Sequence, residues 1–248
     1  LQPLINTSNR KIFGAELLLR LSDEYRKITF NTDKLIKVAA ANGKINLISS
    51  ALLDYVSELY SQFGNSVFRI YGFNRLTINT DYSYLSDTTL SEKIQELYEK
   101  NHLPKNFLGF EITEKEISQH YSDMKKFIAK NLGLGVLFIC DIYNGEYLTF
   151  DRLKELGISE IKIDREYTRF IDTDKVKYNM VRSLLESAKE SSIRVGLIGV
   201  ENMEQYKIIK SINPDCYLQG YAFFRPLERQ ALIDAIRKTN TVIRTSNK

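Results

Sequence analysis

Acids and amides recur where runs of apolar and β-branched residues end: Glu16 and Arg20, Asn79, Glu111 and Glu114, Asp141, Lys162 and Asp164, Glu201, and finally Gln219. Any one of them reads alone as a solvated strand end. Several lie inside apolar runs, however: Glu16 is followed by Leu17, Leu18 and Leu19, and Lys162 sits between Ile161 and Ile163. Burying an unpaired charge costs on the order of several kcal/mol, so buried acids here imply cations and a buried lysine implies anions. Two glutamates, an asparagine and an aspartate form an oxygen set that suits magnesium, manganese or calcium better than zinc. The chemistry indicated is an anionic, phosphorylated ligand held together with hard cations.

Strand-length apolar runs occupy residues 12–19, 68–73 with 76–79, 108–113, 135–142, 160–164, 193–200 and 216–221. Between them, apolar residues recur every three or four positions, as in Ile45, Ile48, Leu52, Tyr55, Val56 and Leu59, which is helical spacing. Strand then helix, repeated, implies a parallel sheet, closed into a barrel or open and doubly wound. Polar residues gathered at one end of successive strands favour the barrel, where strand ends converge on a single mouth. Asn42-Gly43 and Leu132-Gly133 read as helix stops, and Asp172 to Asp174 as a helix start.

The chain has 248 residues, the usual size of one closed α/β barrel, so residues 1–248 read as a single domain. Apolar residues make up 43% and charged residues 27%, a globular balance. A net charge of +4 from 35 basic and 31 acidic residues, without long single-sign blocks, does not suggest a nucleic-acid partner. Cys140 and Cys216 are too few for a disulfide framework and point to a reducing, cytoplasmic setting. No run is long and apolar enough to cross a bilayer, so no membrane segment is expected within this stretch. The chain opens on Leu1-Gln2-Pro3-Leu4, which reads as a piece of a longer protein, with any membrane tether or sensor upstream. The basic tail carrying Arg237, Lys238 and Arg244 reads as a fraying end.

In order along the chain, these residues resemble the EAL domain family. Gln2-Pro3-Leu4 is similar to the family's QPI opening, and residues 15–20, Ala-Glu-Leu-Leu-Leu-Arg, resemble F-E-A-L-L-R with Leu17 in place of alanine. Ile78-Asn79-Thr80 is similar to V-N-L-S, residues 110–114 to L-E-I-T-E, residues 162–165 to K-I-D-R, and residues 219–227 to Q-G-Y-L-F-G-R-P-L. The resemblance implies a TIM-like (β/α)8 barrel with one antiparallel strand that opens cyclic di-GMP to linear pGpG with magnesium or manganese, calcium being inhibitory. It implies metal ligands at Glu16, Asn79, Glu111 and Asp141, and Lys162 holding the attacking water or a phosphate oxygen. Gln2, Leu18, Arg20, Asp141, Glu201, Gln219 and Pro226 would border the nucleotide. A homodimer through helices beside the loop after Asp141 is also implied.

Three departures bear on activity. The family's D-D-F-G-T-G-Y-S-S-L is set here against Cys140-Asp141-Ile142-Tyr143, which puts a thiol where the first aspartate bridges two metals. The loop that follows then needs about one inserted residue and loses its glycine. The family's A-E-G-V-E reads Leu197-Ile198-Gly199-Val200-Glu201, with isoleucine at the general-base position. The expected function is therefore a cyclic di-GMP receptor or regulatory module with negligible hydrolysis, acting on a protein partner and needing no cofactor to bind. Two alternatives stand beside it: a weak metal-dependent phosphodiesterase, in which a water or Glu201 replaces the base, and a protein-interaction barrel that has lost the nucleotide.

Overall fold

A computed structural model of the chain describes residues 1–23, 28–30 and 32–240. Among the described residues there are ten strands: β1 (Gln2–Asn6), β2 (Ile12–Leu17), β3 (Leu21–Asp23), β4 (Ile28–Phe30), β5 (Arg75–Asn79), β6 (Leu108–Thr113), β7 (Leu137–Tyr143), β8 (Glu160–Ile163), β9 (Arg194–Ile198) and β10 (Tyr217–Gln219). Eight of them close into a barrel in the order β1-β10-β9-β8-β7-β6-β5-β2, while β3 and β4 form a separate antiparallel pair. β1 runs antiparallel to both neighbours and every other barrel pair is parallel, so the fold is the TIM-like barrel with one reversed strand.

The helices are α1 (Thr32–Ala41), α2 (Ile45–Phe63), α3 (Arg69–Tyr71), α4 (Leu90–Asn101), α5 (Glu114–Gln119), α6 (Tyr121–Leu132), α7 (Phe150–Glu155), α8 (Arg165–Thr168), α9 (Lys175–Glu190), α10 (Met203–Ile212) and α11 (Arg229–Thr239). Their ends follow the sequence cues: α1 stops before Gly43 at φ 63°, and Asp174 caps α9 by accepting from Val176 and Lys177 N–H at 2.7 and 3.2 Å. After α6 it is Gly135, at φ 93°, rather than Gly133, that takes the left-handed conformation. Among the described residues no helix is long and apolar enough to cross a membrane.

Residues 68–73, read as strand, are instead a π-helical turn (Gly64–Phe68) continued by α3 and stopped by Gly72 at φ 74°. Periodicity cannot separate a short buried strand from a short buried helix. Here ring packing decides, with Phe68 stacked on Phe73 at 4.4 Å and 6.0 Å from Phe107. Arg237 and Lys238 lie in the last turn of α11 rather than in a frayed tail, and Arg244 falls outside the described residues.

Strand alternation separates two environments. Outward-facing Ala15, Leu76, Ile78, Phe110, Phe138 and Ile161 pack under the helices. The inward-facing set mixes charged groups with apolar ones: Arg75 forms a bidentate pair with Glu160 across the barrel at 2.6 and 2.8 Å, Arg194 lies over the rings of Phe13 and Tyr217 at 4.6 and 5.1 Å, and Leu4 packs with those two rings. Tyr217 fills the barrel because β9 is open at Gly196, where a Cβ would come within 2.4 Å of its ring. The barrel below Lys162 is thus filled by a buried ion pair together with aromatic and aliphatic side chains.

Candidate functional site

The carboxyl ends of β2, β5, β6, β7, β8 and β10 bring Glu16, Asn79, Glu111, Asp141, Lys162 and Gln219 to one mouth. Lys162 Nζ, 1% exposed, donates to Glu111 Oε2 at 2.6 Å, Glu16 Oε2 at 3.0 Å and Gln219 Oε1 at 3.3 Å. Glu16 also accepts from Asn79 Nδ2 at 2.6 Å and Gln219 Nε2 at 2.7 Å. The lysine buried between two isoleucines has its anions, as its sequence context required. Glu111 Oε1 and Asp141 Oδ1 are buried with no hydrogen-bond partner.

Electrostatics explain those two oxygens. Three carboxylates share one ammonium, and burial chiefly, with Glu16 beside it, pushes the Glu111 carboxyl up to about 8. Asp141 is raised by burial and by Glu16. Burial opposes ionisation of Glu16 as well, but the Lys162 ammonium and the hydrogen bonds from Gln219, Lys162 and Asn79 outweigh it and hold Glu16 below the ordinary range. Burial also works to lower Lys162, yet Glu111, Glu16 and Asp141 drive it well above the usual lysine value. The cluster lacks positive charge.

Among the described residues no three acidic, histidine or cysteine side chains converge as a finished metal site, since Lys162 draws Glu16 and Glu111 to itself. The donor set nevertheless fits a hard divalent cation: two orphaned carboxylate oxygens with an amide beside them. Magnesium or manganese is accordingly expected to raise the melting temperature, and by more near about pH 8.5 than near about pH 6.5, because Glu111 must lose its proton to bind a cation. For the metal-free protein the sign is the reverse: a raised carboxyl stabilises below its unfolded value and loses that contribution as pH climbs through about 8. Scanning fluorimetry at the two pH values checks this, and equal metal-induced shifts would refute it.

Two cavities open at this end of the barrel. One, of 310 Å³, has Asn79, Glu111, Asp141 and Ile142 in its walls. The other, of 370 Å³, lies at the end of β2 between α2 and the residues preceding α11, and its walls include Leu18, Arg20, Tyr55 and Pro226. Gln2 pairs with Glu16 across β1 and β2. Glu201 is exposed after β9, where its N–H donates to Gln205 Oε1 at 2.7 Å, while Gln219 lies in the mouth and Leu18, Arg20 and Pro226 line the second cavity.

The EAL domain family matches residues 1–226. The chain is an EAL domain. It is 31% identical over 161 residues to the cyclic di-GMP phosphodiesterase RocR of Pseudomonas aeruginosa, covering 64% of this chain and 40% of that protein. It is 24% identical over 226 residues to the signaling protein YkoW of Bacillus subtilis, covering 91% and 28%. The chain thus spans less than half the length of these curated relatives. In fold it resembles the PaMucR phosphodiesterase in its c-di-GMP complex, with TM-score 0.81 and 20% identity over 93% of this chain and 92% of that one. It likewise resembles the FimX EAL domain of Pseudomonas aeruginosa bound to c-di-GMP, with TM-score 0.76 and 19% identity over 91% and 88%.

Against the EAL pattern, the geometry moves one of the breaks. Thr113 pairs with Asp141 and Ile112 with Cys140, so Asp141 shares the inward face of Glu111 while Cys140 faces the helices, fully buried in the hydrophobic layer. No thiol enters the mouth. With Asp141 on the first aspartate of D-D-F-G-T-G-Y-S-S-L, Tyr143, Tyr147 and Phe150 fall on the phenylalanine, tyrosine and leucine, and the inserted residue disappears. The second aspartate becomes Ile142, 44% exposed in the cavity wall and at φ 52°, a conformation that strains a β-branched side chain.

Ile198 does belong to the mouth. It pairs with Gln219, whose amide reaches Glu16, and lies two residues beyond inward-facing Gly196. Gly199 then turns the chain at φ 75°, where a Cβ would sit 2.6 Å from that of Arg165.

Glu114 was legible only as one more strand-end acid. It is 1% exposed and accepts from the N–H groups of Asn144 and Gly145 at 3.1 and 3.2 Å and of Tyr147 and Leu148 at 3.0 and 2.8 Å. One carboxylate thus pins the loop beside the cavity. The available signal was its place immediately after a buried strand.

Proposed function

We propose that this EAL domain binds cyclic di-GMP and turns it over negligibly, serving as a receptor that passes occupancy to a protein partner. The observation that carries the reading is the pair of hydrocarbon side chains, Ile142 and Ile198, at mouth positions where the family pattern has acids. Neither can take a proton from water or hold a cation, and removal of a general base typically costs about a hundred- to ten-thousand-fold. Recognition is spared, because the groups that would meet the nucleotide, Gln2, Leu18, Arg20, Gln219 and Pro226, remain. The likeness to the cyclic di-GMP phosphodiesterase RocR, and to two structures in complex with c-di-GMP, supports the choice of ligand. A homodimer beside the loop of residues 143–149 belongs to the same reading.

A weak phosphodiesterase is the second reading, favoured by the intact Glu16, Asn79, Glu111 and Asp141 and by the two carboxyl oxygens among them that have no hydrogen-bond partner. Under it, magnesium or manganese held there would supply Lewis-acid activation of water, while Lys162 keeps Glu16 ionised and orients Glu16 and Glu111. Titration calorimetry with cyclic di-GMP, followed by chromatography of the same sample, separates the two. The receptor reading expects heat of binding at micromolar nucleotide and no linear product with manganese. Product abolished by Glu16→Ala would favour the enzyme, and absence of binding in all conditions would leave neither.

A further inference from the structure

The 310 Å³ cavity has an imbalance that the ligand set of the mouth does not resolve. Asp81, Glu111, Glu116 and Asp141 line it, and the single cation among its lining residues is Lys37, on the side formed by α1. Two of the acids are engaged by the fold: Asp81 caps the turn at Ser83, and Glu116 accepts from Tyr82 N–H at 2.8 Å. The other two, Glu111 and Asp141, each present a buried oxygen without a partner. Lys162 cannot serve a ligand as it stands, because its ammonium is already directed at Glu111, Glu16 and Gln219. An anionic phosphodiester entering this cavity meets two buried carboxyl oxygens without partners and a single lining cation. Lys37 is exposed, and its four-carbon stem carries a compact, rotatable point charge.

We propose that Lys37 is the counter-cation of the ligand cavity: its ammonium holds a phosphate oxygen of the cyclic dinucleotide over Glu111 and Asp141, so that binding does not require a divalent metal. This rests on the reading that the domain binds cyclic di-GMP. Lys37 and the two orphaned carboxyl oxygens line the same cavity, and Lys37 is exposed and able to swing toward a bound phosphate. The residue lies on a solvent-facing helix position, so its replacement leaves the barrel intact.

The experiment titrates the full chain with cyclic di-GMP in excess EDTA and again with manganese, for wild type, Lys37→Ala and Lys37→Arg, with circular dichroism as the folding control. In EDTA the alanine variant is expected to bind at least about tenfold more weakly and the arginine variant within about threefold of wild type. Manganese is expected to return the alanine variant to within about threefold of wild type, because the metal then supplies the charge. An alanine variant that binds like wild type in EDTA overturns the proposal. Wild type that binds only with manganese overturns it as well while leaving the receptor reading standing, and wild type that binds in neither condition removes both.

Discussion

Replacing Ile142 by aspartate and Ile198 by glutamate together is expected to raise manganese-dependent formation of linear dinucleotide by about a hundredfold or more over wild type. Glu16, Asn79, Glu111, Asp141 and Lys162 are assembled already, so on the proposed reading what the mouth lacks is a proton acceptor and one further carboxylate. Ile198 is aimed correctly, being paired with Gln219 in the sheet, and a glutamate there projects from the same wall as the amide that reaches Glu16. At residue 142 aspartate has a second advantage. Its short polar side chain tolerates φ 52° better than isoleucine does, which relieves roughly 1–2 kcal/mol of backbone strain. Chromatographic product analysis of both single variants and the double variant provides the readout. A double variant that folds, keeps wild-type nucleotide affinity and is no faster would show that the two isoleucines do not limit hydrolysis, contrary to the proposed reading.

Lys162→Met is expected to destabilise the metal-free protein by about 3–5 kcal/mol, since it leaves Glu16, Glu111 and Asp141 facing one another without a buried cation. For a chain of this length that corresponds to a fall of about 10 °C in melting temperature. The loss has a definite pH dependence. In the wild type, Glu16 is held below the ordinary carboxylate value, so its contribution is present above that value and lost only as pH falls through the depressed one. Without the ammonium, the carboxyls move upward and take protons, so the deficit should be largest near about pH 8 and shrink toward about pH 5. Denaturation of both proteins at the two pH values tests this, and an equal deficit at both would mean that Lys162 stabilises by packing rather than by charge. The aliphatic stem of methionine keeps most of the lysine's volume, which makes that distinction readable.

Much of the site could be seen in the chain itself because its chemistry is carried by residue type and order. Glu16 before three leucines, Lys162 between isoleucines, and Asn79, Glu111 and Asp141 each closing an apolar run required a mouth lined with oxygens around a buried cation. The alternation of strand and helix required a sheet able to bring them together. The ordered EAL motifs implied the reversed first strand, which β1 supplies. Less was legible where meaning depends on which way a side chain points. Cys140 and Asp141 are neighbours, and strand alternation says only that one of them faces inward; pairing of β7 with β6 and β8 decides which, and moves the break in the pattern from a thiol to Ile142. Residues 68–73 are apolar enough for either a strand or a buried helix, and contact among Phe68, Phe73 and Phe107 makes the choice. Glu114 became the anchor of a loop, and Lys37 a wall of the acidic cavity, only when segments far apart in the chain were brought side by side. By itself the sequence determined the barrel, its family and an oxygen-rich group of strand-end side chains, because those follow from composition, periodicity and motif order. Only the tertiary structure decided which side chains share the mouth and how their charges balance, because register and long-range approach set distance, and distance sets electrostatic energy.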